Sequence, residues 1–183
     1  MRITGRLYSR EVITDLVQIR RLGENKRGEN ERLRQHMKRH NFIEKNLRRI
    51  AEDIEDAIDC TVCANCCREA TVKLQERDVE HLSKFLRLSQ SRFLSEYTEQ
   101  AEEGLVLKRN EGGCVFLDGN LCSVYEARPS TCVGFPHLMR GAGSLPSRMW
   151  QMVDRACYCP IVYNALEAFK VEVKFFEKSG QRK

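Results

Sequence analysis

Four thiols in eight residues, Cys60-x2-Cys63-x2-Cys66-Cys67, limit what this chain can fold into more than any other feature of its 183 residues. An isolated cysteine is a small buried hydrophobe, but four crowded ones that share their stretch with Thr61 and Asn65 make no core pattern. The x2 spacing has a chemical reason: two intervening residues let both sulfurs reach one ion while the backbone turns and offers N–H groups to the thiolates. Adjacent side chains diverge, so Cys66 and Cys67 are expected to serve different ions, or one of them to bridge. A helix at about 100° per residue would put Cys60, Cys63 and Cys67 on one face and Cys66 away from it. An open loop would instead let Cys60, Cys63 and Cys66 wrap one iron–sulfur cluster. Either way there are more thiols than one tetrahedral site takes.

Five further cysteines follow, at 114, 122, 132, 157 and 159. Cys114 and Cys122 flank an Asp118-Gly119-Asn120 turn, which can bring two sulfurs together across a hairpin. Cys132 follows Arg128-Pro129, where proline stiffens the approach and arginine can offset sulfur charge. An extended Cys157-Tyr158-Cys159 would place both thiols on one side; Cys159, before Pro160, is the preferred ligand and Cys157 the spare. Of the histidines only His137, near Cys132, is a candidate ligand. No stretch approaches the roughly 18–20 apolar residues that cross a bilayer, and the N-terminus lacks a secretory pattern. A cytoplasmic protein is expected, and in a reducing compartment many cysteines are metal ligands or redox groups rather than disulfides.

Around the cysteines the pattern is mainly helical, with some strand. Residues 7–22 and 29–58 have helical periodicity, separated by a polar break from Gly23 to Gly28. In the second, Ile43, Leu47, Ile50, Ile54 and Ala57 form the seam of an amphipathic or coiled-coil helix, long enough to form a stalk or to pack across a compact body. Residues 75–101 read as two helices, with Ser89 or Ser91 capping the second. Residues 105–125 read as a small antiparallel meander, and Pro160 opens a final helix. The expected class is thus α+β: a small metal-stabilised cysteine domain over 58–165, an N-terminal helical extension over 1–57, and a helix end and tail over 166–183.

The linked motifs Cys60-x2-Cys63-x2-Cys66-Cys67, Cys114-Val-Phe-Leu, Cys122-Ser-Val-Tyr-Glu-Ala-Arg-Pro-Ser-Thr-Cys132, Phe135-Pro136 and Cys159-Pro160 resemble the YkgJ-type cysteine-cluster family, whose domain is described as zinc- or iron-chelating. The resemblance covers about residues 58–165. It implies eight ligands: Cys60, Cys63, Cys66, Cys67, Cys114, Cys122, Cys132 and Cys159. Two positions depart from the family: Ala64 stands where a glycine is common, and Ile161 where a glycine often follows the last Cys-Pro. Flagellin lysine N-methylase is similar in this domain, which implies an accessory role in methyl transfer as one alternative.

The leading expectation is a metal-binding protein holding Zn²⁺, iron or an iron–sulfur cluster. Soft thiolates suit each of these, so composition does not choose. The chain has 31 Lys and Arg against 26 Asp and Glu, a formal charge of +5. Eight thiolates on two doubly charged centres would reduce it to about +1. A basic run of Arg32, Arg34, Lys38, Arg39, Lys45, Arg48 and Arg49 offers a second alternative, an adaptor that binds a protein helix or nucleic acid; interspersed Glu31, Glu44, Glu52 and Asp53 favour a solvated helix face instead. Neither a Gly-rich cofactor loop nor the C-x3-C-x2-C spacing of radical-SAM proteins is present, and the reading leans away from an enzyme.

Overall fold

A computed structural model describes residues 12–39, 44–141 and 143–175. In chain order the helices are α1 (Leu16–Asn25), α2 (Arg27–Arg39), α3 (Glu44–Glu55), α4 (Cys60–Cys63), α5 (Asn65–Glu69), α6 (Glu76–Leu86), α7 (Gln90–Tyr97), α8 (Ser130–Gly134), α9 (Leu145–Arg155) and α10 (Pro160–Glu172). The strands are β1 (Thr98–Ala101), β2 (Gly104–Leu107), β3 (Arg109–Asn110), β4 (Gly113–Cys114), β5 (Leu117–Asp118) and β6 (Leu121–Cys122). This is the expected mainly helical α+β class. Two compact units result: residues 59–135, and a second formed by residues 1–58 with 136–183.

The helical unit owes its core to amphipathic helices. α3 presents Leu47, Ile50, Ala51 and Ile54, all buried, and packs on α10, which buries Ile161, Val162, Ala165, Leu166 and Phe169. Of the two uses expected for the apolar seam, α3 takes the one of packing within a compact body, on α10; its first member, Ile43, lies outside the described residues. α2 packs on α9 through this unit's core, where Leu33, Met37, Met149 and Met152 are buried. Asp15 caps α1 by accepting from the Gln18 N–H at 2.7 Å. The predicted break from Gly23 to Gly28 narrows to Lys26, because Gly23 is helical and serves packing. A Cβ there would stand 2.5 Å from the Ala156 carbonyl oxygen and 2.6 Å from the Cys157 Cα.

Several members of the basic run are committed within this unit. Arg34 pairs with Glu31, Arg48 donates to the Met139 carbonyl at 2.7 Å, and Arg49 pairs with Glu172 at 3.2 Å. Lys170 is fully buried, its ammonium held by Glu167 at 2.6 Å and by Glu29. No helix among the described residues is long and apolar enough to cross a membrane.

The cysteine-bearing unit is built from short pieces. Ser89 caps α7 as expected, accepting from Arg92 N–H. The predicted meander is three separate two-stranded antiparallel pairs, β1–β2, β3–β4 and β5–β6. Residues 98–101, expected to continue a helix, form β1 instead. Thr98, β-branched, closes α7 by donating its hydroxyl to the Leu94 carbonyl at 2.7 Å, and Thr98 pairs with Leu107. The core here comprises Val72, Leu74, Val79, Leu82, Phe93, Leu107, Cys114, Phe116, Val124 and Ala127. Tyr97 stacks between Phe93 and Phe116, with ring centroids 5.7 and 5.1 Å away.

Candidate metal centre

The 60–67 run is neither one helix nor an open loop. Asp59 caps α4 by accepting from the Thr61 N–H at 2.8 Å and the Thr61 hydroxyl at 2.6 Å. After one turn Ala64 takes the left-handed conformation, φ 45° and ψ 12°, and α5 restarts from it. The single-face grouping of Cys60, Cys63 and Cys67 expected of a continuous helix is thereby broken. Cys60 is exposed, and Cys63, Cys66 and Cys67 are half-buried.

Cys67 joins three later thiols. Cys114, on β4, belongs to the core, and Cys67, Cys122 and Cys132 pack against that same core. Four elements thus deliver four sulfurs: α5, β4, β6 and α8. The approach of α5 to β4 depends on Gly113, at φ +123°, where a Cβ would lie 2.6 Å from the Cys67 carbonyl oxygen and 2.8 Å from the Arg68 Cα. Across the β5–β6 turn, Asn120 Nδ2 donates to the Val62 carbonyl at 2.8 Å. Arg68 donates to the Cys63 carbonyl at 3.2 Å and to the Gly119 carbonyl at 2.8 Å. Arg109 donates to the Ala70 carbonyl at 2.7 Å and also to the Arg68 carbonyl. α8, carrying Cys132, is tied down by Asp78, which accepts from the Ser130 N–H at 2.9 Å and the Gln75 N–H at 2.9 Å.

The electrostatics follow from this gathering. Cys67 is lowered to about 7, first by a hydrogen bond from the Cys66 thiol, with further help from the charges of Arg68, Arg128 and Arg109. Cys132 is pushed up to about 12 by burial and then by the charges that Cys114, Cys67 and Cys122 would carry. Burial raises Cys114 and Cys122 too, with neighbouring sulfurs adding to it. A set of clustered, partly buried thiols that oppose each other's ionisation is one that a divalent cation would hold as thiolates, so the chemistry of this donor set suits a soft metal. Among the described residues no group of three or more His, Cys, Asp or Glu side chains stands in position to hold an ion as it is. The four thiols share a core and an electrostatic neighbourhood.

The remaining sites lie elsewhere. Cys157 and Cys159 belong to the helical unit. Residues 156–158 form a turn, so the extended Cys157-Tyr158-Cys159 expected from alternation is absent. Cys157 is buried, 3.3 Å from the Arg27 guanidinium; Cys159 precedes Pro160 at the start of α10. His137 also lies in this unit, its carbonyl accepting from Arg148 at 3.1 Å. All nine cysteines are free of disulfides. Sequence reasoning missed Arg68, Arg109, Gly113, Asn120 and Asp78 as supports of the thiols. Asn120 carried a local signal as part of the Asp118-Gly119-Asn120 turn, and Asp78 one through the Gln75 N–H at the start of α6; the bonds of Asp78 to Ser130, of Arg68 to Gly119 and of Arg109 to Ala70, and the close approach at Gly113, are distant in sequence.

An α+β unit organised around clustered thiols defines a class of cysteine-rich chelating domain. The chain belongs to the CxxCxxCC family, described as a putative zinc- or iron-chelating domain, whose model matches residues 59–160. Metal binding is what this membership supports. No curated protein and no solved structure matches the chain.

Proposed function

We propose that this protein binds zinc or iron through all-cysteine sites, and that the bound metal stabilises the unit spanning residues 59–135. The observation that carries the reading is the delivery of Cys67, Cys114, Cys122 and Cys132 from four separate elements onto one core. Four thiolates on one ion would leave no position for water, which fits a structural rather than a hydrolytic role. The unit needs a staple. Helices of four or five residues and two-residue strands are unstable alone, and a small core rarely suffices without a metal or disulfide. An iron–sulfur cluster on these thiols would add electron transfer, with Arg68, Arg109 and Arg128 bearing on its potential. Cys60, Cys63 and Cys66 supply further ligands, and Cys159 is kept in the set because the family match ends one residue after it.

The test is anaerobic purification followed by elemental analysis and a visible absorption spectrum. A colourless protein with about two zinc ions supports thiolate sites of the structural kind, and a brown protein with iron and sulfide supports a cluster. Protein that is folded, reduced and free of stoichiometric metal contradicts the proposal.

A further inference from the structure

We propose that the helical unit binds nucleic acid through the outward face of α2, with Arg32, Lys38 and Arg39 contacting phosphates. Charge is divided unequally over the fold. Residues 59–135 carry 9 Lys and Arg against 12 Asp and Glu, net −3, while the rest of the chain carries 22 against 14, net +8. Gathered on one unit, positive charge attracts a polyanion more strongly than the chain total of +5 suggests. Within α2, Asn30, Leu33 and Met37 are buried, and Gly28, Arg32, Gln35, Lys38 and Arg39 are exposed. Spacings of four, three and four put Gly28, Arg32, Gln35 and Arg39 in one row, with Lys38 beside it. Of the acids interspersed in the basic run, Glu31 is taken up by Arg34, Glu44 by Arg48 and the Leu145 N–H, and Asp53 by Arg49, while Glu52 lies on α3. Glu29, the other acid of α2, holds Lys170. Among the described residues Arg32, Lys38 and Arg39 form no ion pair.

A row of cations with no exposed apolar side chain among them fits a phosphate backbone rather than a bilayer. Helices that lie in a membrane surface place Trp, Phe or Leu beside their cations. On α2 every exposed side chain is polar, and Leu33 and Met37 face the core. Arg32 and Arg39 stand about 10 Å apart along the helix axis, and Gln35 between them adds an amide donor. Contacts of this kind position a protein on a nucleic acid without reading its sequence, so binding is sequence-independent and falls steeply with salt. The inference stands apart from the metal site, since none of these residues belongs to the unit of residues 59–135.

The purified full chain is titrated into a fluorescein-labelled DNA duplex and into a labelled single-stranded RNA, with anisotropy recorded from about 50 to about 200 mM KCl. Binding is expected at low salt, and three phosphate contacts on the duplex should weaken it about 40-fold across that range. Arg32→Gln combined with Lys38→Gln and Arg39→Gln should weaken low-salt binding about tenfold or more, with helical circular dichroism unchanged. Arg39→Gln alone should lower the slope of log affinity against log salt by about one. Lys73→Gln combined with Arg77→Gln and Lys84→Gln removes the same charge from exposed positions of the other unit, and should leave affinity within about twofold. Absence of binding to either probe at low salt, equal losses in the two triple variants, or tighter binding to phosphatidylserine-containing vesicles than to either probe would overturn the inference.

Discussion

Ala64 occupies a left-handed backbone position, φ 45° and ψ 12°, and it is buried. A residue with a Cβ reaches that region at about 1–2 kcal/mol, whereas glycine enters freely. The family's common glycine at this point has a physical reason, and the departure from it is a small local strain between the first two thiols and the next two. Part of what Ala64→Gly relieves is returned as added freedom of the unfolded chain, so the variant is expected to gain about 0.5–1 kcal/mol, read by denaturant unfolding. Gly113 is the opposite case. A Cβ there would collide with backbone at 2.6 Å from the Cys67 carbonyl oxygen, and φ is +123°. Gly113→Ala should cost about 2–4 kcal/mol and lower metal content with stability; unchanged metal content and midpoint would show that α5 and β4 need not approach so closely.

At the scale of elements, two buried charges join pieces that local pattern leaves separate. Asp78 in α6 accepts from the Gln75 and Ser130 N–H groups and meets the Ser130 hydroxyl at 3.1 Å, so it starts α6 and ties down α8. Asp78→Ala leaves buried donors unmet and should destabilise by about 2–4 kcal/mol, with metal loss because α8 carries Cys132; Asp78→Asn, which keeps acceptors, should be milder. In the helical unit, Lys170 lies between Glu29 and Glu167 with no exposure. Lys170→Ala removes the ammonium that Glu29 holds, while Glu167 keeps its pair with Lys26, and should cost about 3–5 kcal/mol; the double change to Lys170→Met with Glu29→Gln should recover part of it in thermal melts. The helices α6, α7 and α10 were legible from Ser89, Pro160 and the spacing of apolar residues, signals that act within one turn. The strand β1 was not, because Thr98-Glu99-Gln100-Ala101 lacks an apolar run and owes its form to pairing with β2.

For the molecule as a whole, the two units differ in what holds them. Among the described residues the helical unit buries long aliphatic and aromatic side chains on α1, α2, α3, α9 and α10 and their flanks, whereas residues 59–135 pack a smaller core among short elements. Chelator treatment should therefore abolish a lower-temperature transition in calorimetry and expose residues 59–135 to protease, while most helical signal persists; a single unaltered transition would contradict metal-dependent folding. The existence of a thiol cluster was plain in the spacing from Cys60 to Cys67. Which thiols meet was not, since Cys67, Cys114, Cys122 and Cys132 come together through Gly113, Asp78 and the arginine clamps, all long-range contacts that no periodicity encodes. The most direct measurement is X-ray absorption at the metal edge of the purified full-length protein. A first shell of four sulfurs at about 2.3 Å is the predicted result; a shell dominated by nitrogen or oxygen would contradict the all-cysteine assignment.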